Sequence, residues 1–227
     1  MVRTILSERS PRIDAMAPAR LEVALFSMGC FKSSEARLGI TRGVWHTCVG
    51  YAGGAFPSPT YDDVGDHTEA VMAEYDPGAI SYGQLLELFM YWYCASPLET
   101  SPRRAPRIFV RDVKERRLAQ AAVERNALCG KDYPRAHIVP FKTFYRAEPR
   151  LQKHHLRREP WLFEELLALY GTEEDLLRST SAARLNGLLG QAPAPALRSL
   201  PESIDLYGLS PEAVLTLQHL GDQATYP

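Results

Sequence analysis

A cysteine set at a strand-to-helix corner, Cys30 within the stretch Leu21 to Gly54, constrains this chain more than any other feature. Ahead of it Val23, Ala24, Leu25 and Phe26 form an apolar, β-prone run, and behind it Ser33 to Leu38 read as helix. Gly29 permits a tight turn between the two, and the free N–H groups at the helix start favour negative charge there. A cysteine so placed is a candidate nucleophile. The competing reading is a small buried hydrophobe, the commonest state of a free cysteine.

The rest of the chain alternates strand and helix signals. Val44, Trp45, Thr47, Cys48 and Val49 form a second β-prone run that ends at Gly53-Gly54, and Gly39 is expected to cap the Cys30 helix. Ala55 to Asp66, rich in Gly, Pro, Ser and Asp, predicts an ordered loop over the site. Thr68, Ala70 and Met72 then fall on one face of a third strand, with Glu69, Val71, Ala73 and Tyr75 on the other. Ser81-x-x-Gln84 is a capping-box pattern, and Tyr82, Leu85, Leu86, Phe89 and Tyr93 make one apolar helix face. Pro97, Pro102 and Pro106 impose a loop, Ile108 to Val110 a fourth strand, and Asp112 with Glu115 open a helix expected to end near Gly130. Short strand-like pieces follow at His137 to Pro140 and Thr143 to Arg146, then a helix from Pro160 to Tyr170 and another from Thr172 into the 180s.

The expected organisation is a mobile segment over residues 1–20, with Pro11 and Pro18 opposing regular structure, and a single domain over 21–190. A Pro-rich linker and C-terminal helix occupy 191–227, the helix starting at Ser210-Pro211 and stopping at Gly221. Pattern alone supports α/β or α+β. With 26 Lys+Arg against 27 Asp+Glu the formal charge is −1, so no global field argues for nucleic acid or a membrane. Local basic clusters at Arg103, Arg104, Arg107 and Arg111, and from Arg146 to Arg158, are either solvated helix faces or contacts to an anionic partner. Four cysteines without a CxxC pair fit a reducing, cytoplasmic setting better than a secreted disulfide framework, with organelle targeting by the arginine-bearing N-terminus as the alternative.

Gly29-Cys30-Phe31 followed by Glu35-Ala36-Arg37-Leu38-Gly39, then Val49-Gly50-Tyr51-Ala52-Gly53-Gly54, Ser58 to Val64, His67 to Val71 and Glu74 to Phe89, resembles in order and spacing the peptide methionine sulfoxide reductase A family. The resemblance spans about residues 21–170 and is densest before Phe89. It implies an α+β fold with a two-layer ferredoxin-like sandwich core and a C-terminal helical extension. It also implies a thiol-dependent oxidoreductase, a peptide-methionine (S)-S-oxide reductase of protein repair and the oxidative stress response. On this resemblance Cys30 attacks the sulfoxide sulfur and becomes a sulfenic acid. Glu69 donates the proton to the departing oxygen, Tyr61 hydrogen-bonds that oxygen, and Phe31 walls the methyl pocket.

The sequence departs from the family at several of these points. Lys32-Ser33 stand where the family has Trp-Gly, so Lys32 replaces an apolar pocket wall with a charged head. The family's later aspartate and second oxygen-binding tyrosine have no matching position in the segment from Tyr93 to Arg107. Phe144 to Glu148 and Gln152-Lys153 echo a late aromatic, Ala-Glu and Gln-Lys pattern. The sulfenic acid must be resolved by a second thiol, for which Cys94 and Cys48 are the candidates, with Cys129 a third, or by an external thiol or thioredoxin-like partner. No metal or organic cofactor is indicated, and a monomer is expected. Two other readings stay open: a catalytically weak paralogue serving as redox sensor or binding module, and a reductase of another small, anionic sulfoxide recognised by Lys32 and the arginines near 103–111.

Overall fold

The computed structural model describes residues 11–95, 101–125, 136–190 and 200–223. Its centre is a six-stranded sheet in the order β5-β4-β1-β3-β2-β6. The strands are β1 (Glu22–Ser27), β2 (Val44–Ala52), β3 (Thr68–Tyr75), β4 (Arg107–Val110), β5 (His137–Pro140) and β6 (Phe144–Arg146). Neighbours pair antiparallel except β4 with β5, which is parallel.

Side-chain alternation along these strands defines two faces. Ala24 and Phe26 of β1, Val49 and Tyr51 of β2, Val71, Ala73 and Tyr75 of β3, and Ile108 and Val110 of β4 share one buried cluster with helix side chains. Those helices are α2 (Phe31–Gly39), α3 (Tyr82–Ala95) and α4 (Val113–Arg125). Leu25, Ala52, Ala70 and Phe109 point the other way and pack with Met72, Val139, Phe141 and Phe144. The apolar face of α3 is the one the sequence predicts, and its capping box forms: Gln84 N–H donates to Ser81 Oγ at 3.3 Å and Ser81 N–H to Gln84 Oε1 at 2.9 Å.

A second core joins both ends of the chain. Ile13, from the helical turn α1 (Arg12–Ala15), is buried with Leu156 of α5 (His154–Arg157), Leu162 and Leu166 of α6 (Pro160–Tyr170), Leu176 of α7 (Glu173–Arg178) and Leu185 of α8 (Thr180–Gly190). Ala213 and Leu217 of the last helix, α9 (Pro211–Gln223), complete it. The mobile lead-in expected through residue 20 is therefore structured from Pro11 onward. The Asp14 carboxylate accepts the Thr180 and Ser181 N–H groups at 2.8 and 3.3 Å, satisfying the open start of α8.

Three other expectations differ in detail. The helix expected to run unbroken from Thr172 is interrupted at Ser179, whose ψ of 153° is extended, so α7 and α8 are separate. Gly221 does not stop α9, which continues to Gln223. Gly39 is the last helical residue of α2 rather than a left-handed cap, and its role is contact: a Cβ there would lie 2.3 Å from the Ala183 carbonyl oxygen. Gly187 answers from α8, where a Cβ would meet Ile40 at 2.3 Å and the Ala36 carbonyl at 2.8 Å. Small residues on both sides let α8 lie directly on the helix that starts at Cys30. The linker expected over 191–201 and the helix end near Gly130 fall mostly outside the described residues.

Candidate active site

Cys30 is the N-cap of α2, half-buried, with extended backbone (φ −63°, ψ 120°). The turn before it depends on Gly29 at φ +84°, a conformation that a side chain would strain. Ser34 fixes the corner by donating to the carbonyls of Met28 and Cys30 at 3.2 and 3.1 Å.

The α2 helix is held from behind by a buried ion pair. Lys153 and Glu35 are both fully buried; Lys153 Nζ donates to Glu35 Oε1 and to the Thr47 carbonyl, each at 2.7 Å. The Lys153 N–H adds a bond to Glu35 Oε2 at 2.9 Å, and Thr47 Oγ1 donates to Glu35 Oε1 at 3.2 Å. Next to it, Gln152 exchanges hydrogen bonds with the Val49 backbone at 2.8 and 2.9 Å. The late Gln-Lys pair thus clamps α2 to β2.

Glu69 lies on the β3 face that looks toward α2 and is 1 % exposed. Both its oxygens are engaged. Oε2 accepts the Phe31 N–H at 3.1 Å, one of the unpaired donors at the start of the Cys30 helix. Oε1 accepts Arg103 Nε at 2.7 Å, with Arg104 Nε 3.7 Å away. Glu69 is thus buried among the apolar residues of its strand face, and its carboxyl is ion-paired there.

Arg103 is a residue the sequence reading placed in a basic cluster on a solvated face or against an anionic partner. It sits on a 3-10 turn, Pro102–Arg104, and Ser27 Oγ ties that segment to the end of β1 through the Ala105 carbonyl at 2.7 Å. From this turn the Arg103 side chain reaches the buried Glu69 carboxylate. Nothing in the local pattern distinguishes it from Arg104 or Arg107.

Phe31 is buried between two tyrosines, its ring 6.1 Å from that of Tyr51 and 6.3 Å from the stacked ring of Tyr61. Tyr61 belongs to the loop between β2 and β3. That loop is ordered: Asp66 accepts the Ala55 N–H at 2.8 Å and the Phe56 N–H at 2.9 Å. Gly54 N–H donates to His67 Nδ1 at 3.1 Å, so Nε2 carries the proton that bonds the Phe56 carbonyl at 2.8 Å. Glu148 draws the loop onto the sheet, accepting the Tyr61 N–H and the Tyr51 hydroxyl at 3.0 Å each. Burial pushes the Glu148 carboxyl up, but these two donors and Arg150 outweigh it and hold it below the usual carboxylate range.

Three cations surround the Tyr61 ring: the Arg103 guanidinium 4.2 Å from its centroid, and Lys32 Nζ and the Arg150 guanidinium each at 5.7 Å. Lys32 is thus at the site, as its position beside Cys30 implies, and shares an aromatic surface with two arginines.

The structure brings Phe31, Lys32, Tyr61 and Glu69 around the α2 start with Cys30, but turns Cys48 away from it. Cys48 alternates with Thr47 and Val49, which face α2, so it points to the opposite side of the sheet with its cross-strand neighbour Met72. Burial pushes its thiol up to about 11, the state of an unreactive cysteine. Cys94, near the end of α3, is disulfide-bonded and as it stands has no thiol to offer. Neither thus presents a free thiol on the face where Cys30 lies. Cys129 lies outside the described residues.

Residues 22–168 match the family described as peptide methionine sulfoxide reductase. A peptide methionine sulfoxide reductase A5 of Oryza sativa subsp. japonica is 39 % identical, over 82 % of this chain and 76 % of the relative. A peptide methionine sulfoxide reductase of Drosophila melanogaster is 34 % identical, over 83 % and 75 %. Among solved structures, methionine sulfoxide reductase A of Corynebacterium diphtheriae shares the fold at 21 % identity. Its TM-score is 0.52, covering 70 % of this chain and 91 % of that one.

Proposed function

Since this chain belongs to the peptide methionine sulfoxide reductase family, we propose that it reduces the S-sulfoxide of methionine in peptides or proteins, with Cys30 as its nucleophile. The observation that carries this reading is the carboxylate of Glu69 seated on the first free N–H after Cys30, at the residue whose ring stacks on Tyr61. In this reading Phe31 supplies apolar wall for the substrate methyl, and Tyr61, stacked on it, orients the sulfoxide; the stacking supports both roles. In the net step the oxygen passes from substrate sulfur to Cys30 Sγ. The substrate S–O bond breaks, the Cys30 S–O bond forms, and the proton lost by the thiol ends on the oxygen by way of Glu69, giving thioether and a sulfenic acid.

Regeneration then needs two thiol equivalents: the first releases water and forms a mixed disulfide, and the second frees Cys30. With Cys48 turned away and Cys94 already bonded, an external thiol or a thioredoxin-like protein is the proposed reductant. Strand order β4-β1-β3-β2, antiparallel throughout, with α2 and α3 on one face, supports reading this part as a ferredoxin-like two-layer core. Among the described residues no helix is long and apolar enough to cross a membrane. We propose a monomer in the cytoplasm; the disulfide at Cys94 weighs against the cytoplasm alone, since such bonds belong mostly to oxidising compartments.

The ring of cations around Tyr61 favours a second reading, a sulfoxide that carries an anionic group. Both are tested by assaying the purified chain with a thioredoxin system on the S and R epimers of free, peptide-bound and acid-bearing sulfoxides. Turnover of the peptide S epimer, with the R epimer untouched, supports the first reading. Turnover confined to the acidic sulfoxides supports the second, and no turnover on any substrate leaves a redox sensor or binding module.

A further inference from the structure

We propose that Arg103 is an oxygen-binding catalytic residue, its Nη2 donating to the sulfoxide oxygen while its Nε holds Glu69. The assignment rests on the reductase reading of the same site and adds a residue to it. A guanidinium carries five N–H donors in a planar fork and cannot be neutralised at ordinary pH. Here Nε is spent on Glu69 Oε1 at 2.7 Å. Nη2 is withdrawn from solvent and has no acceptor among the described residues. A buried donor left without a partner is costly, and in a folded chain it marks a place that a ligand or water completes.

Its surroundings identify the ligand atom. On one side the carboxylate of Glu69 links the fork to the Phe31 N–H, the residue after Cys30, so the guanidinium and the nucleophile's helix converge on the same carboxylate. On another side the Tyr61 ring lies 4.2 Å from the guanidinium carbon and stacks on Phe31. An atom bonded by Nη2 therefore sits beside an acidic proton carrier, near the cysteine and next to aromatic surface. A sulfoxide meets that description: its oxygen accepts strongly and its methyl is apolar. As the oxygen leaves the substrate sulfur it gains negative charge, and a fixed cation stabilises that charge more than it stabilises the ground state. The Ser27 bond to the Ala105 carbonyl keeps the arginine's turn in register with the strand leading to Cys30, so the cation is preorganised.

The test separates oxygen binding from mere support of Glu69. In a Cys30→Ser background, a peptide carrying methionine S-sulfoxide and the same peptide carrying methionine are titrated by calorimetry. The expected result is a preference for the sulfoxide that Arg103→Gln removes by about tenfold or more, since the thioether lacks the oxygen that Nη2 binds. Arg103→Lys keeps the charge but not the fork, and is expected to recover part of the preference. With Cys30 intact, Arg103→Gln should lower kcat roughly 10² to 10³-fold. A sulfoxide preference that is undiminished in Arg103→Gln or Arg103→Lys, whichever folds, overturns the proposal. A wild-type protein that turns over no methionine sulfoxide, while Cys30→Ser still prefers it through Arg103, overturns the reductase reading and leaves the assignment of Arg103 intact.

Discussion

Replacing Lys153 with methionine puts the clamp behind the nucleophile helix to a quantitative test. The ammonium is fully buried, and it provides Glu35 Oε1 with its charge partner at 2.7 Å. Methionine has a similar volume, and any cost of the left-handed backbone at position 153 (φ +52°) is common to both residues. What is lost is the compensating charge, leaving Glu35 buried with only the backbone N–H of residue 153 and the Thr47 hydroxyl. Breaking one side of a buried pair costs about 3–5 kcal/mol. For a chain of this size that corresponds to a fall in Tm of roughly 6–20 °C. The loss comes from a stranded carboxylate, so adding Glu35→Gln should recover at least about 1 kcal/mol, because an amide still accepts the N–H at 153 without a buried charge. Urea denaturation of wild type and the two mutants, with m values compared, reads these differences. A single mutant within about 1 kcal/mol of wild type, or a double mutant less stable than the single, would refute the reasoning.

Glu69→Gln keeps size and burial but loses the acid, and peptide sulfoxide turnover should drop roughly 10² to 10⁴-fold with the melting curve little changed. Cys48 should resist iodoacetamide at neutral pH and react only as the pH climbs toward about 11; site mapping by mass spectrometry across a pH series decides this. Glu148 is held below the usual carboxylate range by its folded-state donors, so its contribution is present at neutral pH and is lost as the pH falls below the ordinary glutamate value of about 4.3. Glu148→Gln should flatten that acid limb of stability and raise KM by loosening the Tyr61 loop, measurable by melts and kinetics below pH 5. Lys32→Trp should raise kcat/KM on peptide sulfoxides by an amount on the order of 1–2 kcal/mol in barrier if the methyl pocket is apolar, and lower it on acidic sulfoxides if the lysine recognises charge.

Much of this site was legible because its chemistry is local. The corner at Cys30 follows from an apolar strand, a glycine able to take φ +84° and a helix start, all within a dozen residues. The facing of Glu69 follows from strand alternation, and the Gln-Lys echo marked a pair that proves to be a buried clamp. The unread parts all depend on long-range contacts. Arg103 resembles its basic neighbours in sequence, and what marks it out is a hydrogen bond to Glu69, 34 residues away. Cys48 is a candidate in sequence because sequence alone does not say which sheet face lies against α2. Gly39 looked like a helix stop, since only the arrival of α8 shows that its missing side chain serves a crossing. Asp14 was assigned to a mobile lead-in because the helix start it caps lies some 166 residues away.

The most direct test of Cys30 as oxygen acceptor is a single turnover without reductant. The purified chain is mixed with a stoichiometric amount of peptide methionine S-sulfoxide, quenched with dimedone, and both the thioether product and the modified residue are quantified by mass spectrometry. One thioether formed per dimedone adduct, with the adduct on Cys30 and neither product in Cys30→Ser, is the expected result. Thioether that still forms in Cys30→Ser, or an adduct on any other residue in its place, would contradict the mechanism.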